Sequence, residues 1–279
     1  MTKIIDGKLL ASRILDSLKD HVQSLKTKPS LAIVLASPSS ASRIYVNNKI
    51  KAAQNIGIKT RLIELKEDVE QRELIKIIQY LNGDSRISGI IAQLPLYNKL
   101  DSFEIIETID PSKDVDGLTT RNIGLLYSGR DPLFIPCTPL GIYKILEEEY
   151  GNLRGLSAVI IGRSNIVGRP LASLLLKNDV TVTICHSKSK NTISVAKNAD
   201  IVVTASGRHL MFGREYFSPN SVVIDVGINK TAEGKIVGDV RFEEVSSYVR
   251  AITKVPGGVG PMTIACLMQN VVKAHKELE

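Results

Sequence analysis

The feature that most limits how this 279-residue chain can fold is a repeated alternation of short apolar runs with amphipathic helical segments. Residues 31–36 read as a buried strand, 43–56 as a helix, 60–65 as a strand, 71–81 as a helix and 89–92 as a strand. A second series follows, with strands at 157–161, 180–184, 201–205 and 221–226 and helices at 168–177 and 192–198. Strands that are apolar along most of their length, rather than at every second residue, are those covered on both faces. The pattern therefore predicts an α/β protein with parallel sheets flanked by helices. Before the first series, Leu10, Ile14, Leu18, Val22 and Leu25 share one helical face over 9–26. Residues 110–138 break the rhythm with proline and glycine turns, and Thr138-Pro139 starts a helix running to about Tyr150. A last helix is expected over 262–278, after the glycine-rich Val255-Pro-Gly-Gly-Val-Gly-Pro261.

Composition narrows the class. A chain that is 43% hydrophobic and 23% charged has enough apolar material for a core, so a disordered protein is excluded. No apolar run reaches membrane-spanning length, and Met1-Thr-Lys-Ile-Ile-Asp lacks an apolar signal core, so a cytoplasmic location is expected. Cys137, Cys185 and Cys266 lie far apart without a CxxC pair, which fits reduced thiols and no metal site. The net charge of +7 comes from lysines and arginines dispersed among acidic residues. That describes a mildly basic surface suited to anionic ligands, and no nucleic-acid interface is expected without a clustered patch.

The segment Ala158-Val-Ile-Ile-Gly-Arg-Ser-Asn-Ile-Val-Gly-Arg-Pro170 ends a strand at Gly162 and opens a helix near Gly168. Such a turn aims backbone N–H groups and the positive end of a helix at a diphosphate. Ser164 and Val167 stand where a strict G-x-G-x-x-G would have glycine, and a tight β-α turn without a ligand shares this spacing. The next strand runs into Cys185-His-Ser-Lys-Ser-Lys190, with no Asp or Glu to bind a ribose 2′-hydroxyl, whereas Arg163, Ser187 and Lys188 can donate to a 2′-phosphate. The residues favour NADP over NAD.

Ser42, Tyr45 and Lys49 fall at i, i+3 and i+7, one stripe of the 43–56 helix and its lead-in. Val46, Ile50 and Ala53 form a neighbouring apolar stripe expected to face the core, which sets Lys49 at the margin of the core. A lysine partly removed from water can exchange a proton more readily, although the same spacing also describes a surface Tyr/Lys pair. Gln93 lies just past the carboxyl end of a buried strand, where α/β proteins bind ligands or simply cap the strand. Asp114 and Asp116, in Lys113-Asp-Val-Asp-Gly117, can accept from ring N–H groups or shape a turn.

Together these segments resemble the methylenetetrahydrofolate dehydrogenase/methenyltetrahydrofolate cyclohydrolase family over nearly the whole chain. The carriers are Tyr45-Val-Asn-Asn-Lys-Ile-Lys-Ala-Ala53, Gln93-Leu-Pro-Leu96, Lys113-Asp-Val-Asp-Gly117, Pro136-Cys-Thr-Pro139, the Gly162–Pro170 turn, Asp225-Val-Gly-Ile-Asn229 and Pro256-Gly-Gly-Val-Gly-Pro-Met-Thr263. The resemblance implies two domains with a cleft between them: a folate-binding catalytic domain (1–138 plus 262–279) and a Rossmann-type NADP-binding domain (139–261). It implies Lys49 as the catalytic lysine, Gln93 as the residue that sets its position, and Asp116 as the pterin anchor. It also implies Tyr45 and Ser42 as folate contacts, and Gly162, Arg163, Ser164, Ser187 and Ile228 as the NADP lining. The implied activities are oxidation of 5,10-methylenetetrahydrofolate and hydrolysis of the methenyl product, in a metal-free homodimer serving one-carbon metabolism and purine biosynthesis. The chain departs from the family pattern at Ser37-Pro-Ser-Ser40, where the proline is shifted, and at Tyr97, His209 and Lys254, where proline is usual. These departures bear on loop shape and substrate affinity.

Overall fold

Every strand in the two main sheets pairs in parallel, as the continuously apolar runs require. The computed structural model describes residues 2–231 and 233–278. The chain starts with β1 (Lys3–Ile5) and α1 (Gly7–Ser24), then β2 (Ser30–Leu35), α2 (Ser40–Asn55), β3 (Lys59–Glu64), α3 (Gln71–Gly83) and β4 (Gly89–Ala92). Two short helices, α4 (Ser102–Glu107) and α5 (Thr120–Tyr127), precede the longer α6 (Cys137–Tyr150). The second series is β5 (Ser157–Ile161), α7 (Gly168–Lys177), β6 (Thr181–Cys185), α8 (Thr192–Lys197), β7 (Ile201–Thr204) and β8 (Val222–Asp225). A small antiparallel pair, β9 (Asn229–Lys230) with β10 (Ile236–Val237), is followed by α9 (Phe242–Val245), β11 (Ala251–Thr253) and α10 (Val259–Leu278).

These elements form two compact units. Ser12–Cys137 joins the chain from Ile264 onward, and Thr138–Thr263 joins the residues up to Ala11. In the first unit the strand order is β3-β2-β4. The central strand β2 is buried at every position, and α3 covers one face by burying Leu74, Ile78 and Leu81, spaced one turn apart. These side chains join Ala32, Val34, Ile90 and Ile105 in one apolar cluster. At the C-terminus of α3, buried Lys113 donates from Nζ to the carbonyls of Leu81 (3.2 Å) and Asp84 (2.8 Å), satisfying acceptors at the helix end.

The second unit holds a sheet in the order β1-β11-β8-β7-β5-β6. Residues 2–11 group with this unit, Lys3, Ile4 and Ile5 pairing with Ala251, Ile252 and Thr253 at the sheet edge. One face of this sheet packs Val159, Val202, Val223 and Ile252 against Phe212, Phe217 and Val245. Among the described residues no helix is long and apolar enough to cross a membrane.

Candidate active site

In the first unit the site is built on α2. Ser39 caps the helix, its hydroxyl accepting from the Ser42 N–H at 3.4 Å, so the helix starts three residues before the hydrophobic pattern does. The helix buries Ser42, Val46, Lys49 and Ala53. The sequence places Ile50 on the core face and Lys49 at its margin; in the structure Lys49 is only 6% exposed and Ile50 is half-buried. A lysine can occupy such a position because its ammonium has an acceptor waiting: Nζ donates to Gln93 Oε1 at 2.9 Å. Gln93 is itself fixed at both ends. Its backbone N–H donates to the Val34 carbonyl at 2.9 Å, and its Nε2 donates to the Leu94 carbonyl at 2.7 Å. Two adjacent parallel strands thus set the position of the lysine nitrogen. The Ser42 hydroxyl accepts from Ser37 Oγ at 3.2 Å.

The two aspartates of the Lys113–Gly117 loop occupy different environments. Asp114 is 1% exposed, and its carboxylate accepts from the N–H groups of Gly117 (3.0 Å), Leu118 (3.1 Å) and Thr119 (2.8 Å) and from Asn122 Nδ2 (2.9 Å). Burial pushes its pKa up, against the pull of these donors. Asp114 therefore folds the loop, while Asp116 stays partly open. Asp116 lies near Tyr45: burial first, and then the Asp116 charge, push the Tyr45 phenol pKa up. Cys137 belongs to the same cluster. Its thiol donates to the Val115 carbonyl at 3.3 Å, and burial, Asp116 and Cys266 raise its pKa well above that of an ordinary thiol, with Lys49 opposing them. Asn270 of α10 donates to the Val115 carbonyl (2.9 Å) and to that of Ile135 (3.2 Å), pinning the residue before Asp116. Lys49, Gln93, Tyr45, Asp116 and Cys137 thus share one neighbourhood. Neither Cys137 nor Asn270 carries a role in the sequence reading, although Pro136-Cys-Thr-Pro139 marks the former as part of a motif.

In the second unit, a cavity of about 850 Å³ lies at the carboxyl ends of β5, β6 and β7, lined by Gly162, Arg163, Ser164, Ser187, Ser206 and Arg208 among others. The chain steps from β5 to β6 on one side, then crosses to β7 on the other, so this is the switch point at which open parallel sheets bind ligands. The turn depends on two glycines. Gly162 has φ of +145°, and a side chain on it would strike the Ala205 carbonyl oxygen. A Cβ on Gly168 would strike the carbonyl oxygen of Gly162. Gly168 thus gives the close strand-helix packing usually given by the third glycine of the fingerprint, one residue later than a strict match. Ser164 Oγ accepts from the N–H groups of Val167 (3.2 Å) and Gly168 (3.4 Å). No carboxylate lines the cavity, and both Arg163 and Arg208 do. Lys188 and Ile228 are not part of the lining; Ile228 stands 51% exposed after β8. Arg208, Asn191 and Thr192 do line it, without being singled out as ligands by the sequence reading.

Behind this wall lie two buried carboxylates. Asp239 accepts from Ser206 N–H (2.7 Å), Ser206 Oγ (2.9 Å), Gly207 N–H (3.0 Å) and Asn229 Nδ2 (2.9 Å). Asp225 accepts from Thr204 Oγ1 and from the N–H groups of Gly227, Asp239 and Val240. Among the described residues no His, Cys, Asp and Glu group is arranged to hold a metal ion.

Comparison with known proteins matches residues 5–116 to the tetrahydrofolate dehydrogenase/cyclohydrolase catalytic domain, and residues 136–279 to the NAD(P)-binding domain of the same family. The chain belongs to the tetrahydrofolate dehydrogenase/cyclohydrolase family. The bifunctional protein FolD of Rickettsia bellii is 53% identical to it, with 99% of each chain covered. The crystal structure of the bifunctional FolD enzyme of Campylobacter jejuni superposes with a TM-score of 0.96 at 44% identity, covering 99% of both chains. The Trypanosoma brucei member of the family, solved with NADP cofactor and inhibitor, gives 0.94 at 32% identity, covering 99% of this chain and 98% of that one.

Proposed function

We propose that this protein is an NADP-dependent bifunctional enzyme that oxidises 5,10-methylenetetrahydrofolate to the 5,10-methenyl compound and hydrolyses that product to 10-formyltetrahydrofolate. The observation that carries the reading is a buried lysine, Lys49, held by a glutamine amide beside a partly open aspartate and a tyrosine. Asp116 suits the N–H donors of a pterin, and Tyr45 supplies a ring against which the aminobenzoate portion stacks, with Ser42 nearby. In the second unit, Gly162, Arg163, Ser164 and Ser187 would hold NADP, with Ile228 beside them. The acid-free, arginine-bearing cavity and the missing carboxylate after β6 fit a nucleotide with an extra phosphate.

NADP, when bound in this cavity, would supply the hydride acceptor for the methylene carbon of the folate. The protein's part in that step is to hold the folate still through Asp116 and Tyr45. In the hydrolysis, water adds to the methenyl carbon and the bond from that carbon to N5 breaks. N5 keeps one of the water's protons, and the other leaves. Lys49 Nζ, fixed through Gln93, passes a proton between the added water and N5.

The family resemblance extends the proposal to a cytoplasmic homodimer whose product feeds purine biosynthesis. A dimer joined through the cofactor domains is supported by β6, an edge strand with exposed Thr181, Thr183 and Ile184. The test follows NADPH and the methenyl compound separately. Lys49→Met is expected to lower the hydrolysis rate at least a hundredfold, in line with loss of a proton-transferring group, while NADP still binds. Hydrolysis at the wild-type rate would remove Lys49 from the mechanism.

A further inference from the structure

Three strand ends border the nucleotide cavity. In the sheet β7, β5 and β6 are neighbours in that order, and they are followed by Arg208, Arg163 and Ser187 respectively. In sheets of this topology the turn after the first strand holds the diphosphate, and the end of the second strand reads the 2′ position of the adenosine ribose. Here β5 is the first strand and β6 the second, so the 2′-phosphate belongs on the Ser187 flank and Arg208 stands on the opposite one.

Two further observations give Arg208 work to do there. The first turn of α7 would ordinarily offer free N–H groups to a diphosphate, but those of Val167 and Gly168 are engaged by the Ser164 hydroxyl. Positive charge from side chains must then answer much of the diphosphate, and the lining contains no carboxylate to compete for it. The backbone that carries Arg208 is also fixed. Asp239, fully buried, takes three donors from Ser206 and Gly207, and Gly207 turns the chain at φ +64° into Arg208.

We infer that Arg208 is a binding residue for the diphosphate shared by NADP and NAD, distinct from the Arg163 and Ser187 side chains that the sequence already offers to the 2′-phosphate. The inference rests on the nucleotide reading given above and divides its cations by role. NADP and NAD are identical on the Arg208 flank, so losing Arg208 must weaken both by the same factor.

The experiment is isothermal titration of NADP, NAD and adenosine 2′-monophosphate into the full-length wild type and into Arg208→Ala, Arg208→Lys and Arg163→Ala, each first checked for a wild-type melting curve. Arg208→Ala is expected to weaken NADP and NAD alike, by about tenfold for one partly solvated charge-assisted contact, and to leave adenosine 2′-monophosphate unchanged. Arg208→Lys keeps the charge and recovers most of the loss. Arg163→Ala is expected to weaken NADP and adenosine 2′-monophosphate more than NAD. A loss confined to NADP, or no loss for either dinucleotide, overturns the assignment of Arg208 while leaving the enzyme an NADP-binding one. A wild type that binds neither dinucleotide overturns the nucleotide reading and this inference together.

Discussion

Asp114 and Asp116 are separated by one residue, and the structure gives them opposite kinds of work. Replacing Asp114 with alanine removes the acceptor for the N–H groups of Leu118 and Thr119 and the shortest contact of Asn122 Nδ2; Gly117 N–H keeps a second acceptor in the Asp114 carbonyl at 2.9 Å. A buried donor left without a partner costs about 1–3 kcal/mol, so two backbone donors and a weakened amide come to roughly 4 kcal/mol. Removing a buried carboxylate, whose pKa burial has pushed up, returns part of this, leaving about 3 kcal/mol. At about 2–4 °C per kcal/mol for a protein of this size, the melting midpoint of Asp114→Ala should fall by roughly 6–12 °C. Asp116→Ala truncates a partly exposed side chain and should shift the midpoint by less than about 2 °C, the usual range for such sites. Its KM for methylenetetrahydrofolate should rise at least tenfold, the loss of about one charge-assisted hydrogen bond pair. Thermal melts and steady-state kinetics on the two variants separate the roles. An Asp114→Ala protein that melts within about 2 °C of wild type, or an Asp116→Ala protein that loses as much stability as it does, would refute the division.

Two more outcomes follow from the second unit. Burial pushes the Asp225 carboxyl up to about 6 from the ordinary 3.8, despite the N–H donors it accepts from, and nearby Asp239 adds to the rise. The folded value lies above the unfolded one, so this group's contribution to stability is full below about pH 4 and is lost as pH rises through about 6, a swing on the order of 3 kcal/mol. Melting curves of wild type and Asp225→Asn between pH 4.5 and 7 should therefore show the difference moving in favour of wild type as the pH falls; a constant difference would show that Asp225 does not titrate there. Gly168→Ala should weaken NADP binding by tenfold or more, because its methyl group meets only backbone of Gly162 and Arg163, and overpacking of that kind costs about 1–3 kcal/mol. Gly83→Ala, with nothing within 4 Å of the added carbon, is the control; equal titration curves for the two variants would discount the close packing at Gly162.

Much of the architecture was legible because strand-length apolar runs and the 3.6-residue period are strong signals. The strand at 157–161 and the helix at 168–177 stand in the structure with those bounds. What escaped were elements too short to carry a period: β1 and β11, three residues each, and the two-residue β9 and β10. The same shortness hid the pairing of Lys3–Ile5 with Ala251–Thr253. Hydrophobic patterning also favoured Ile50 over Lys49 as a core residue, since it weighs side chains singly. It cannot know that an amide acceptor 44 positions away makes burial of an ammonium tolerable. For the same reason Asp114 read as a turn former, Asp225 as part of the 221–226 strand, and Asp239 drew no reading. Most of their partners are backbone N–H groups, and such donors leave no trace in side-chain chemistry. Tyr97, placed where the family usually has proline, packs its ring on the core of the first unit and donates to the Leu65 carbonyl at 3.3 Å, a role that only its neighbours in space disclose.

The pairing of β1 with β11 governs how the protein can be made. A ribosome releases Lys3–Ile5 near the outset and Ala251–Thr253 close to the end. The larger sheet therefore lacks β11, the strand that joins β1 to β8, for almost the whole of synthesis, and the other unit waits for the chain from Ile264 onward. Until then β8 presents an unpaired rim open to other nascent chains. A gene divided at the 137/138 junction would encode two fragments, each holding a piece the other needs, and their separate production would be a poor route to either half.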